Sequence, residues 1–412
     1  MRGWILQPSS GEVETATSRP SRPELEQHLD CHWTNAAILP IHTVVRIPVL
    51  SIRALATAVV TGVLLVGCSD SDAKPNSPQA ESRAFRMGFS GIPPRPDFAQ
   101  AVLAIQTWIP RADQALVLNE PPWDSLLAGV PAESLIRRDQ LPLVQYYKSH
   151  GLRIVVSIDP TNGLNRSSDS DPLVNAGRSL AEPAIRQLYR DYVVAADTLL
   201  RPDAISVASE TNLIRVAAPT LLYDAVVQNA ADAAAAIRAV DATVTIFTTV
   251  QVETAWGRLG GVGTYEGIDQ DRADFPFIQM LGLSSYPYLA GFAEPESIPV
   301  NYYRRLVESA PIPMMVIEGG WSSASLDSTI LSSPEEQRRY ILRQAEILDA
   351  AAAVGVFQIT FTDLDPAFFP PGTILPFFAS LGLVDADLNP KPALSAWDTV
   401  FARPLRTTPP PG

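Results

Sequence analysis

Residues 311–323 read PIPMMVIEGGWSS. Met314, Met315, Val316 and Ile317 form a short apolar run with proline before it and a glycine pair after it, the pattern of a strand buried on both faces. The run ends on a carboxylate, Glu318, followed by Gly319, Gly320 and Trp321. A charge leaving water needs partners, so packing alone does not put a glutamate there. Residues 204–213, AISVASETNL, repeat the arrangement: a short apolar run, then Glu210. Two strand-end carboxylates on one scaffold are the material of acid and nucleophile chemistry.

Working outward, strand-like and helix-like runs alternate. The apolar runs begin at Arg86, Ala115, Leu152, Ala204, Val244, Met280, Met314 and Val356. Helical patterns cover 97–108, 131–149, 182–200, 219–240, 269–277, 301–309, 333–353 and 392–401. The start at 333–336, Ser-Pro-Glu-Glu, carries a cap residue, proline at the first helical position and an acidic first turn. Eight strands, each followed by a helix, predict a single (β/α)8 TIM barrel over residues 84–405. An open doubly wound sheet would want a glycine-rich phosphate turn after the first strand, and Phe89-Ser90-Gly91-Ile92-Pro93-Pro94 is not one.

The flanks read differently. Residues 55–66, LATAVVTGVLLV, are apolar, with Arg46 and Arg53 upstream and Gly67-Cys68 at the end, which is the plan of a secretion signal. The run falls short of the roughly 20 residues of a membrane span. Leu65-Val66-Gly67-Cys68 resembles a bacterial lipoprotein signal, and that resemblance implies lipidation of Cys68 and residence in the cell envelope, on the membrane or outside it. Residues 45–68 are then the signal, 69–83 a polar disordered tether and 406–412 a disordered tail. Residues 1–44 fit neither part, and the true start is expected near Val45 or Val49. The two cysteines, Cys31 and Cys68, leave none for a disulfide in the barrel. A net charge of −13 argues against nucleic acid as a partner. The chain is expected to be a monomer.

A TIM barrel places its chemistry at the C-terminal ends of the strands. Glu120, Asp159, Glu210, Glu253, Tyr286, Glu318, Trp321 and Asp363 fall there. Acids with aromatic neighbours suit an oligo- or polysaccharide, because aromatic faces stack on sugar C–H faces and carboxylates accept hydroxyl hydrogen bonds. Trp123, Tyr288 and Trp321 are the candidate platforms. Absences narrow the chemistry further. The barrel has one histidine, His150, at a helix end, and of Lys74, Lys148 and Lys391 none is read at a strand end. A Ser-His-Asp triad, a His-ligated zinc, a Schiff-base lysine and an enolase-type base all lack their residue. No metal and no cofactor is expected. The pair Glu210 and Glu318 remains, on strands four and seven, which face each other across a barrel mouth.

That placement, acid/base on strand four and nucleophile on strand seven, resembles the retaining (β/α)8 glycoside hydrolases of clan A. Residues 317–323, IEGGWSS, are similar to the nucleophile segment of the plant-type β-1,3-glucanases and of the endo-β-1,4-galactanases, and 281–287, LGLSSYP, to strand six of the galactanases. The resemblance implies a β-linked glycan as substrate, cleavage with retention, Glu318 as nucleophile, Glu210 as acid/base and Tyr286 as partner of Glu318. Two departures stand out. The clan carries Asn before the acid/base, and this chain has Ser209, with Asn212 as the expected substitute. The clan often ends strand eight on Trp, and this chain has Phe361-Thr362-Asp363. These departures keep a second reading open, a cell-surface barrel that binds carbohydrate without cleaving it.

Overall fold

The computed structural model describes residues 82–260 and 263–406. The stretch read as a lipoprotein signal with Cys68, the segment 1–44, most of the tether and most of the tail lie outside them. Eight parallel strands pair in sequence order and close: β1 (Arg86–Ser90), β2 (Gln114–Asn119), β3 (Arg153–Ile158), β4 (Ala204–Ser206), β5 (Thr245–Gln251), β6 (Met280–Ser285), β7 (Met314–Gly319) and β8 (Gly355–Gln358), with β8 beside β1. The chain is a (β/α)8 TIM barrel, as the alternation of runs predicts. Among the described residues no helix is long and apolar enough to cross a membrane.

The strands are largely apolar because both faces are covered. Leu116, Val155, Ala204, Phe247, Met280, Met315, Ile317 and Phe357 fill the barrel interior. The outward side chains, such as Ile154, Val156, Ile205, Leu283 and Val316, pack under the helices. At the closed end Arg83 is buried, donates to Asp113 and the Phe85 carbonyl, and lies over the Phe401 ring. Although it falls in the stretch read as tether, Arg83 is therefore part of the barrel, and it joins the two ends of the domain.

Two helical patterns are realised differently. The pattern over 131–149 splits into Ala132–Asp139 and Leu141–Ser149. Pro142 supplies no N–H and crowds the preceding turn. The pattern over 301–309 yields a single 3-10 turn, Arg304–Val307. Pro295, Pro299, Pro311 and Pro313 bracket it too closely for an α-helix. The cap at Ser333 forms as expected: its Oγ accepts from Glu336 N at 3.3 Å, and the helix runs Pro334–Ala350.

Candidate active site

Glu318 owes its position to an irregularity in β7. Leu283 of β6 pairs with Val316, yet the next residue, Ser284, pairs with Glu318. Ile317 is the extra residue of this bulge, which breaks the alternation of the strand and re-aims the next side chain. Ile317 packs into the barrel interior, and Glu318 turns to the same side, where its Oε2 stands 3.5 Å from the Tyr286 hydroxyl. Gly319 pairs with Ser285 too closely for a side chain, since a Cβ there would stand 2.7 Å from the Ser285 carbonyl oxygen.

Glu210 is positioned by a strained turn. β4 ends at Ser206, and Glu210 sits at φ 46°, in the left-handed region that L-residues avoid at about 1–2 kcal/mol. Its backbone N donates to Thr249 Oγ1 of β5 at 2.8 Å, and its carbonyl accepts from Leu213 and Ile214 at the start of the next short helix. Such strain is tolerated where the surroundings over-determine it, and it collects at functional sites.

Between these carboxylates and Asp159 reaches a residue the sequence reading passed over, Arg166. Its Nε donates to Glu210 Oε2 at 2.8 Å. Its Nη1 donates to Asp159 Oδ2 and, at 3.2 Å, to Thr161 Oγ1. The loop after β3 is built to deliver it. Thr161 donates twice to Asp159 Oδ1, Asn162 Oδ1 caps Leu164 and Asn165, and Asn162 Nδ2 holds Asp171. Arg166 is only 8% exposed; burial weakens its hold on its proton, and the charges of Asp159 and Glu210 more than offset that. A buried guanidinium stays charged here because it forks between two acids.

Glu318 has no such cation in hydrogen-bond contact. Burial and the neighbouring Glu210 push its carboxyl up to about 8, against the smaller opposing pull of Arg166. Burial likewise lifts Glu120 to about 7, although Ser170 donates to it. Burial and the Glu210 charge thus favour the protonated form of Glu318, while Arg166 donates to Glu210 and Asp159.

The other expected binding residues are engaged with the protein itself. Trp123 is fully buried against Tyr189 at 6.3 Å, and Trp321 against Tyr340 at 5.4 Å, with its Nε1 donating to Ser332 Oγ. Tyr288 is buried too, and donates to the Phe377 carbonyl. None offers a face to a sugar, because each fills space between strand ends and helices. The Asn212 amide is spent on the backbone of Gln251, accepting at 2.7 Å and donating at 2.8 Å. It holds β5 to the turn after β4 and is not free to replace the missing Asn before Glu210. Asp363 meets Lys391 Nζ at 2.7 Å and Gly382 N at 2.9 Å. Lys391, read from the sequence as remote from the strand ends, folds back over β8 and also donates to Ser323 Oγ. This pair clamps the loops after β7 and β8 together. Among the described residues no group of three His, Cys, Asp or Glu side chains is placed to hold a metal ion.

Aromatic exposure at this end comes from phenylalanines. The loop after β8 closes on itself, Leu364 N donating to the Ala379 carbonyl, and carries exposed Phe368, Ile374 and Phe377. Phe378 of that loop meets the Tyr286 ring at 5.0 Å, beside Glu318. The run 366–380, PAFFPPGTILPFFAS, was the signal for this rim.

Solved structures share this architecture. An exo-β-1,4-mannosidase from Opitutaceae bacterium strain TAV5 matches with a TM-score of 0.56 at 19% identity, over 78% of this chain and 59% of its own. A GH5_18 enzyme from Streptomyces cattleya in complex with Manβ1-4GlcNAc matches with 0.59 at 15%, over 79% and 83%. The GH53 catalytic domain of Ignisphaera aggregans matches with 0.50 at 14%, over 77% and 91%. The fold is that of the barrel glycoside hydrolases. This chain thus spans less than two thirds of the mannosidase, and several glycosidase types resemble it to a similar degree. No protein-family model matches the chain, and none of the curated proteins matches it by sequence.

The raised carboxyl of Glu318 has a stability consequence. The folded protein binds this proton more tightly than the unfolded chain, so the stability it contributes is complete below about pH 4.5 and is lost as pH rises through about 8. Glu318→Gln removes the loss. Its melting temperature is expected to match wild type near pH 4 and to exceed it by roughly 2–5 °C at pH 8.5. Thermal unfolding at both pH values checks this, and a gain independent of pH would show that Glu318 is not the group concerned.

Proposed function

We propose that this protein is a glycosidase that cleaves a β-linked glycan by double displacement with retention. Glu318 attacks the anomeric carbon, and Glu210 protonates the departing oxygen. Water then releases the sugar from the glycosyl ester, with Glu210 taking the water's proton. The observation that carries this reading is the placement of Glu210 and Glu318 at the ends of β4 and β7, with Arg166 donating to Glu210 and Tyr286 against Glu318. Double displacement needs an ionised Glu318 and a protonated Glu210, whereas burial favours the proton on Glu318. A bound sugar that separates Arg166 from Glu210 lets Glu210 take up the proton it must donate. The Tyr286 hydroxyl then donates to the Glu318 carboxylate.

A second reading draws on the same cation. A carboxylate fixed by a buried guanidinium is a poor acid, so the Arg166–Glu210 pair also suits a barrel that binds carbohydrate without turnover. Incubation with 2-deoxy-2-fluoro β-glycosides, then peptide mass analysis, separates the two. A covalent sugar on Glu318 supports the hydrolase. Oligosaccharide binding by calorimetry with no product and no label supports the binding barrel.

We further propose that the protein is a monomer held at the bacterial cell envelope by lipid on Cys68, from the apolar run and Leu65-Val66-Gly67-Cys68. Labelled palmitate is expected to enter the wild type and not Cys68→Ala. Equal labelling of both would discard the anchor.

A further inference from the structure

One buried carboxyl has no part in the chemistry above. Glu253, just past β5, is fully buried, and its hydrogen-bond partners are all neutral. It accepts from Gln251 Nε2 at 2.6 Å, Ser285 Oγ at 2.9 Å, the backbone N of Tyr286 at 3.0 Å and the Tyr302 hydroxyl at 3.1 Å. The Tyr303 hydroxyl donates in turn to Ser285 Oγ at 3.3 Å. Four donors fill the acceptor positions of one carboxylate, an arrangement that specifies the anion even though burial raises the group's affinity for its proton.

Two of those donors belong to consecutive residues at the end of β6, Ser285 and Tyr286. Tyr286 leaves the strand at φ −132° and ψ 70°, and its ring is set by Phe378 and Tyr288 while its hydroxyl meets Glu318. Fixing the backbone of Tyr286 fixes where that hydroxyl stands. We propose that Glu253 is a positioning residue that gathers the end of β6 and so holds the Tyr286 hydroxyl at Glu318. The proposal rests on reading Glu318 as the reacting carboxylate.

The test tracks the Glu318 carboxyl by carbon-13 NMR titration, assigned by its absence in Glu318→Gln, so that no turnover is needed. A hydrogen bond from Tyr286 favours the Glu318 anion, and its loss moves the titration upward. Glu253→Gln is expected to raise the midpoint by about half a pH unit or more, as is Tyr286→Phe, and the double variant is expected to move no further than Tyr286→Phe alone. An unmoved midpoint in Glu253→Gln, or shifts that add in the double variant, would overturn the proposal. If Glu253→Gln does not fold, Tyr302→Phe removes one donor and keeps the carboxylate. It is expected to shift the midpoint in the same direction, and no shift there overturns the proposal equally. A wild type that cleaves no glycoside would defeat the hydrolase reading and leave this titration able to decide.

Discussion

Glu318→Gln is expected to lower kcat/KM on an aryl β-glycoside by roughly 10⁴-fold, a loss of about 5 kcal/mol of transition-state stabilisation. The amide keeps the volume of the acid and its place beside Tyr286 at the end of β7. It cannot become an anion, and it cannot form the ester on which double displacement depends. KM is expected to change little, because the substitution removes an interaction made as the anomeric centre opens and not one made by the bound ground state. The two alanine variants separate the roles of the pair. With azide present, Glu318→Ala is expected to give the α-glycosyl azide, because the small anion attacks from the side the carboxylate has vacated. Glu210→Ala is expected to give the β-glycosyl azide, because the ester still forms and azide replaces water. Exchange of the two products would reverse the roles, and absence of both would return the molecule to the binding reading.

The parts of this site that sequence exposes, and the parts it hides, differ in how local their cause is. A strand is legible from a handful of neighbouring residues, so the barrel and the two strand-end acids at Glu210 and Glu318 emerge from apolar runs and the residues that end them. The bulge at Ile317 is a property of a pair of strands. Nothing in MMVIEGG states that Ser284 will skip a residue, and an unbroken alternation would have pointed Glu318 away from the mouth. Arg166 is harder still. It lies in TNGLNRSSDS, a stretch whose composition announces only turns, and its target is fixed by Asx and threonine contacts that seat the loop against Asp159. The tryptophans mislead for a different reason. A strand-end aromatic is equally suited to stacking on a sugar and to sealing the gap between a strand and its helix, and Trp123 and Trp321 do the second.

Arg166→Leu tests the cation on which the free site's electrostatics turn. The guanidinium serves Asp159 and Glu210 together and also lowers Glu318's hold on its proton, so its removal leaves buried acids facing one another with no counter-charge. Breaking a buried ion pair from one side costs about 3–5 kcal/mol, since the remaining charge stays out of water without a partner. The loss must depend on pH and grow as pH rises. Without Arg166 the acids bind protons more tightly in the folded protein than in the unfolded chain, so the variant keeps its stability in acid and loses it as pH rises. Wild type and variant are therefore expected to melt close together near pH 4, to diverge through neutrality and to lie furthest apart above about pH 8. Denaturant unfolding across that range reads the gap directly. A separation of the same size at every pH would mean that Arg166 fills space and carries no charge balance, and the electrostatic reading of Glu318 would fall with it.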